Sequence, residues 1–348
     1  MITTTRTATI LTTTTRSDGR RDMRRVHRSF ARLLAAALLF AVCAAAGAQA
    51  WPARAIRVVV PFPAGSSPDL VARVIAEPLA ASLGQPVVVE NRPGAGGNIG
   101  TAAVARAAPD GYTLGVSIPG PLAVNTVLYA KLDYDPFRDL APVSLLAFSP
   151  NVLLVDPALG VQTLAAFVAA AKRQPGKLNY ASIGNGSASH LTMELLKQRA
   201  GIDLVHVPYP GSPQVTAALI NGQVSAGFIV PAAAMAQVQA GRLVAIAATS
   251  AGRSTVLPDL PTVAEQGFPG FESTSWLGMV APAGTPQPIV ARLSTEVVRV
   301  LRLPEVRQRL QALYFQPVGT APEGLAELMR GERDRWATII RKTGAKVD

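Results

Sequence analysis

Two short Ser/Gly-rich loops hold the residues of this chain that could do chemistry: Pro63-Ala64-Gly65-Ser66-Ser67-Pro68-Asp69 and Gly184-Asn185-Gly186-Ser187-Ala188-Ser189-His190. Each follows a β-type run and opens a helix-type run, so each presents unpaired backbone N–H groups at the positive end of a helix dipole, a cradle for an anion. In the first loop no lysine stands at a Walker position, which excludes a P-loop. Its functional reading has Gly65, Ser66 and Ser67 offering N–H groups and hydroxyls to a carboxylate, with Asp69 in the first helical turn holding the loop. The competing reading is an ordinary helix start with Pro68 at its first position. In the second loop Gly184 and Gly186 free the backbone to approach a ligand, Asn185, Ser187 and Ser189 supply polar tips, and Ser187 also suits a helix cap.

A serine three residues before His190 invites a nucleophile reading, which needs a base, an orienting group and an oxyanion hole in one place. No acidic residue is placed to orient the ring, and Glu194 lies a turn further along the same helix. His190 is therefore expected to be a neutral hydrogen-bonding residue that secures the loop, and the protein is expected not to be an enzyme. His206 sits in the alternating run Leu204 to Tyr209, and with His190 it is the only histidine after residue 50, so neither a metal nor a cofactor is expected. Phe62, Tyr209 and Ser212 are candidates for the rest of a pocket; for Tyr209, Gly211 and Ser212 a plain strand-ending turn is the alternative. In Arg92-Pro93-Gly94-Ala95-Gly96-Gly97-Asn98-Ile99-Gly100 the third glycine of a dinucleotide fingerprint would fall on Ile99. That segment reads as a tight loop that lets the next helix pack closely and lines a cleft.

These loops must be positioned by recurring β-loop-α units. Ile56–Phe62 is followed by helical spacing over Leu70–Leu83, and the alternation continues through Val87–Glu90 with Gly97–Ala107, Thr113–Ser117 with Leu122–Leu128, and Asn151–Val155 with Thr163–Lys172. Then come Leu178–Ser182 with Ser187–Arg199, Asp203–Val207 with Pro213–Ile220, Ser225–Ile229 with Ala232–Ala240, and Leu243–Ala248. A strand over Trp276–Val280 and helices over Pro288–Leu301, Pro304–Leu313 and Pro322–Lys342 close the chain. The pattern predicts an α/β fold with mostly parallel sheets and right-handed crossovers. One sheet does not absorb so many strands. The turn-rich stretches Tyr134–Asp139 and Leu257–Phe271 are expected to flank crossings between two lobes, residues 51–150 with 274–348 and residues 151–273, with a ligand in the cleft between them.

Composition narrows the function classes. Residues 1–50 read as an extension and a cleaved secretory signal: Arg24, Arg25, Arg28 and Arg32 precede the apolar run Leu33–Ala46 and the small-residue site Ala48-Gln49-Ala50, with cleavage expected after Ala50 and Met1 or Met23 as the start. That run is short for a membrane span, which takes roughly 20 apolar residues. The formal charge of +11 belongs largely to this segment; it holds eight Arg and two Asp, leaving 25 basic against 20 acidic side chains. Without a Lys/Arg run interleaved with aromatics, nucleic acid is not an expected partner. The single cysteine, Cys43, lies in the signal, so no disulfide or thiolate site is expected, and Val42 before it argues against a lipid anchor. A periplasmic location follows.

Glu90 to Gly97, Pro109 to Leu114, Gly184 to His190 and His206 to Tyr209 stand in an order, across residues 51–348, that resembles the tripartite tricarboxylate transporter receptors, also called Bug extracytoplasmic solute receptors. The resemblance rests on Trp51-Pro52 with Ile56–Phe62 and Asp69, Glu90-Asn91-Arg92-Pro93-Gly94-Ala95-Gly96-Gly97, Pro109-Asp110-Gly111-Tyr112-Thr113-Leu114, and Lys177-Leu178-Asn179-Tyr180-Ala181-Ser182 with Gly184 to His190. His206-Val207-Pro208-Tyr209, Ser275-Trp276 with Ala281-Pro282-Ala283-Gly284-Thr285-Pro286, and Lys342 to Asp348 complete it. It implies a two-lobe, type II-like periplasmic-binding-protein fold, acting as a monomer, that closes on a small carboxylate and delivers it to two membrane transport subunits. A receptor read by a sensor kinase is the alternative. The carboxylate would be held mainly by backbone and hydroxyl groups of Pro63 to Pro68 and Gly184 to Ser187, which avoids desolvating a second charge. The chain departs from the family pattern at Ser66, Ser67 and Pro68, where glycines and a threonine are common, and at Ser225, where an aspartate is usual. The second departure suggests a less cationic ligand.

Overall fold

The computed structural model describes residues 51–343, so the signal-peptide reading of residues 1–50 lies outside the described residues. Every element below belongs to one compact unit, Arg54–Asp348.

Alternating apolar β-branched runs and amphipathic runs give β1 (Ile56–Val60), α1 (Ser67–Leu83), β2 (Val87–Asn91), α2 (Asn98–Ala105), β3 (Thr113–Ser117), α3 (Asn125–Leu128) and β4 (Leu140–Pro150). A second series follows: β5 (Val152–Val155), α4 (Leu164–Arg173), β6 (Asn179–Ser182), α5 (Ala188–Ala200), β7 (Val205–Pro208), α6 (Ser212–Ile220), β8 (Ala226–Ile229), α7 (Met235–Gln239) and β9 (Val244–Ala248). The chain ends with β10 (Thr274–Pro282), α8 (Gln287–Arg302), α9 (Pro304–Ala312), β11 (Gln316–Pro317) and α10 (Pro322–Thr343).

The strands form two sheets, one ordered β11-β4-β10-β3-β1-β2 and the other β7-β6-β8-β5-β9, and these make the two lobes of the α/β fold. The expectation of mostly parallel sheets needs correction. Only β1 with β2 and β3, and β6 with β7 and β8, are parallel. β10 runs antiparallel to β3 and β4, β11 to β4, and β5 to β8 and β9. A strand that arrives from the other sheet enters without a helical crossover, and antiparallel pairing is the arrangement that needs none.

β4 was not expected from the sequence pattern, because Pro142 and Pro150 interrupt it. Both are tolerated there: β11 covers β4 only opposite Ala147 and Phe148, so the prolines lie on uncovered edge. The crossing lies at Asn151, between β4 and β5, and the turn-rich Tyr134–Asp139 stretch precedes β4. The return path runs from Thr249 to Ser273 and contains the Leu257–Phe271 loop. The two crossings are laced together: Asn151 N donates to Thr249 Oγ1 at 2.8 Å, Asn151 Nδ2 to Ser273 O at 3.3 Å, and Ser273 N to Thr249 O at 2.9 Å. All three residues are buried, so this bonding is what makes their burial tolerable.

Each lobe has its own apolar core. Phe167, Tyr180 and Phe228 are enclosed on one face of the second sheet, and Trp276 and Trp336 anchor the first. Burial of each such ring contributes about 1.5–3 kcal/mol.

Candidate functional site

Three helix starts converge on one cavity. Ser66, Ser67 and Pro68 at the start of α1, Ala188 and Ser189 at the start of α5, and Gly211 and Ser212 at the start of α6 all line it. Phe62, Ile118, Ile183, Ile229 and Val230, which follow or end β1, β3, β6 and β8, form its apolar wall, and Asn151 and Ser275 come from the crossing strands. The lining includes no ionisable side chain. Its enclosed volume is about 10 Å³, about that of one water position, because the lobes are in contact around it. Pro63 packs against Gly211, and the backbones of Gly96 and Gly184 touch.

The first loop is held from behind. Gly65 N donates to Asp69 Oδ2 at 2.8 Å, and Ser66 N donates to Pro63 O at 3.2 Å. Arg73 Nε and Asn91 Nδ2 each donate to Asp69 Oδ1 at 2.9 Å, and Asn91 Nδ2 also reaches Phe62 O. Burial alone would raise the Asp69 carboxyl, but the bonds from Arg73, Gly65 and Asn91 outweigh it and hold the group below its ordinary range. Asp69 is thus a brace with its acceptor capacity used. Asp69→Ala is expected to cost about 2–3 kcal/mol in urea unfolding, since it orphans the Gly65 amide and removes a charge-assisted pair of bonds.

The second loop is likewise self-supporting. Gly184 N donates to Ser182 Oγ at 3.1 Å, Gly186 N to His190 Nδ1 at 3.2 Å, and Ser187 Oγ to Gly184 O at 2.6 Å. Ser187 Oγ also accepts from His190 N, which caps α5. Beneath the loop the rings of His190 and His206 stack at 4.2 Å between centroids, with Tyr180 at 4.8 Å from His206. Burial, then the nearby Lys197 charge, pushes His190 down to about 4. Burial, then His190, pushes His206 down to about 3. Both rings are neutral at physiological pH, as expected for His190, and Ser182 Oγ lies 2.7 Å from His206 Nε2.

The sequence-predicted residues therefore separate by position. Phe62, Ser66, Ser67 and Ser212 line the inner cavity. Gly184, Asn185 and Tyr209 line an outer groove of about 340 Å³ with the Gly94–Gly97 loop and Tyr129. Asp69, Ser187 and His190 build the loops, Pro63, Gly65 and Gly186 pack against the opposite lobe, and Ala64 is exposed. The amides of Gly65, Gly184 and Gly186, expected to face a ligand, are donated within the protein. Apart from His190 N, which Ser187 caps, the amides left for a ligand are those in the first turns of α1, α5 and α6, where Pro68 and Pro213 supply none.

The Gly94–Gly97 loop does pack closely, because a Cβ on Gly97 would stand 2.7 Å from Phe62 Cζ. Ser225 does not meet the cleft, which corrects the inference drawn from it: it bonds to Asn179 Oδ1 where β6 and β8 begin, the opposite ends of those strands from the cavity. Ile118, Ile183, Ile229, Val230, Asn151 and Ser275 were missed. For the four apolar residues the available signal was their place at the carboxyl ends of strands in α/β sheets, where ligands bind.

Comparison with known proteins follows the same lines. The family described as "Tripartite tricarboxylate transporter family receptor" matches residues 71–345. Protein BugT of Bordetella pertussis is 40% identical over 307 residues, which is 88% of this chain and 94% of BugT. The structure of R. palustris Rpa4515 with adipate superposes with a TM-score of 0.82 at 36% identity, covering 85% of this chain and 99% of that one. MatC (Rpa3494) from Rhodopseudomonas palustris with bound malate gives a TM-score of 0.79 at 38% identity, covering 83% and 100%.

Proposed function

Because this chain belongs to the tripartite tricarboxylate transporter family of receptors, we propose that it is a periplasmic, non-enzymatic receptor that captures a small carboxylate between its lobes and delivers it to the membrane subunits of a secondary transporter. The observation that carries this reading is the convergence of three helix starts on a cavity into which Ser66 projects. Ser66 is 2% exposed, and its hydroxyl has no partner among the described residues. A buried orphan hydroxyl costs stability unless something accepts or donates to it. A carboxylate placed there would accept from Ser66 and from the free first-turn amides while the dipoles stabilise its charge. The adipate and malate of the two neighbours are carboxylates of this kind.

Entry requires the lobes to part, since the enclosed space is about 10 Å³. In this reading residues 51–150 with 274–348 move against residues 151–273 about Asn151, Thr249 and Ser273. Carboxylate binding then shifts the balance toward the closed form by its differential affinity for it.

Ser66→Ala tests the assignment through opposite effects on two measurements. Without ligand, thermal or urea unfolding should show equal or higher stability, by up to about 1 kcal/mol, because an unsatisfied group is removed. Carboxylate affinity by calorimetry should fall about tenfold, equivalent to one lost charge-assisted hydrogen bond. Unchanged affinity in a folded variant rejects Ser66 as a ligand donor.

A further inference from the structure

Resting on the reading of this cavity as a carboxylate site, we propose that the ligand is an acid with an apolar body and no ammonium group, an alkyl or aryl carboxylate rather than an amino acid or a compact hydroxy acid. The argument begins with the wall. Phe62 and Ile118 stand on one lobe, and Ile183, Ile229 and Val230 on the other. When the lobes separate, these side chains lose one another; a ligand body that fills the gap must replace apolar contact to recover the closed form.

The electrostatics point the same way. Three helix starts place positive partial charge on the cavity, and no acidic side chain lines it. The carboxylate nearest in sequence, Asp69, sits behind its loop and is used by Gly65, Arg73 and Asn91. An ammonium enclosed here would meet repulsion from the helix starts and find no counter-charge, a large desolvation cost with nothing to offset it. A cluster of carboxylates fares poorly for the complementary reason: no lysine, arginine or charged histidine lines the site to neutralise a second or third anion.

Calorimetry and thermal shift on the purified receptor, with acetate, butanoate, hexanoate, 6-aminohexanoate, adipate, malate and citrate, test this directly. Kd is expected to fall about fourfold per methylene from acetate toward hexanoate until the wall is filled. The 6-aminohexanoate probe should bind at least tenfold more weakly than hexanoate, and adipate more tightly than malate at equal charge. Ile229→Ser, with Ile118→Ser as the second variant should the first not fold, is expected to weaken hexanoate more than acetate. A flat chain-length series, 6-aminohexanoate binding as tightly as hexanoate, or malate or citrate binding most tightly overturns the inference while leaving the carboxylate reading intact. No response to any acid in the panel overturns both.

Discussion

Gly186→Ala is expected to weaken carboxylate binding at least a hundredfold while leaving both lobes folded. Gly186 has φ +77°, and a Cβ there would lie 2.4 Å from Asn125 Oδ1 and 2.6 Å from Leu128 Cδ2, both on the opposite lobe. Asn125 cannot swing aside freely, because its Nδ2 donates to Asn98 Oδ1 at 2.6 Å. The clash arises only in the closed arrangement, so the methyl group penalises closure as well as the left-handed backbone. The backbone part alone is about 1–2 kcal/mol. Gly201→Ala separates the two contributions: Gly201 has φ +61° and nothing within 4 Å of a new Cβ. It should cost similar stability in urea unfolding and leave the Kd unchanged. If Gly186→Ala binds like Gly201→Ala, the contact with Asn125 and Leu128 does not limit closure.

Acid is expected to produce the second large effect, through the stacked histidines. Their folded values of about 4 and about 3 lie below the ordinary 6.5. The unfolded chain therefore binds more protons than the folded one between those limits. Stability is fully present above about pH 6.5 and is lost as the pH falls through the window toward the folded values, by up to about 1.4 kcal/mol per histidine for each pH unit. The groups facing the pair are Tyr180, whose hydroxyl donates to Glu194, together with Lys197 and Ser182. None supplies a free carboxylate to hold an imidazolium. Protonating His190 in the folded chain removes the acceptor of the Gly186 amide, so Kd should rise only as the pH approaches the folded value of about 4. Urea unfolding from pH 8 to pH 4 checks this, with His206→Gln expected to reduce the slope by about half. A flat profile between pH 6.5 and pH 4.5 would remove the pair from the account.

Much of the site was legible because its residues are conformational specialists. Gly184, Gly186, Ser187 and Pro68 mark helix starts through backbone freedom, capping and fixed φ, and these properties act locally. The cavity wall was not legible for the converse reason. Ile183 and Ile229 differ from core isoleucines only in which end of a strand they follow and which lobe faces them. The roles of the glycine amides were hidden too, since the acceptors that satisfy them, Asp69, Ser182 and His190, are recognised only once the loops are folded. β4 was missed because Pro142 and Pro150 break its pattern. Ser225 misled because a departure from a family pattern says nothing about which end of β8 it occupies.

The position of β10 between β4 and β3 also governs the order in which the molecule can be assembled. The second sheet is drawn from one contiguous stretch, Val152 to Ala248, and can pair all its strands as soon as that stretch is available. The first sheet cannot: β3 and β4 have no contact with each other across the sheet until Thr274–Pro282 arrives to lie between them. A chain that stops before residue 274 leaves β3, paired with β1, with one unpaired edge and β4 with no partner strand. One lobe is therefore a local folding problem and the other a global one, with the late strand acting as the keystone of the sheet that carries the Pro63–Asp69 loop.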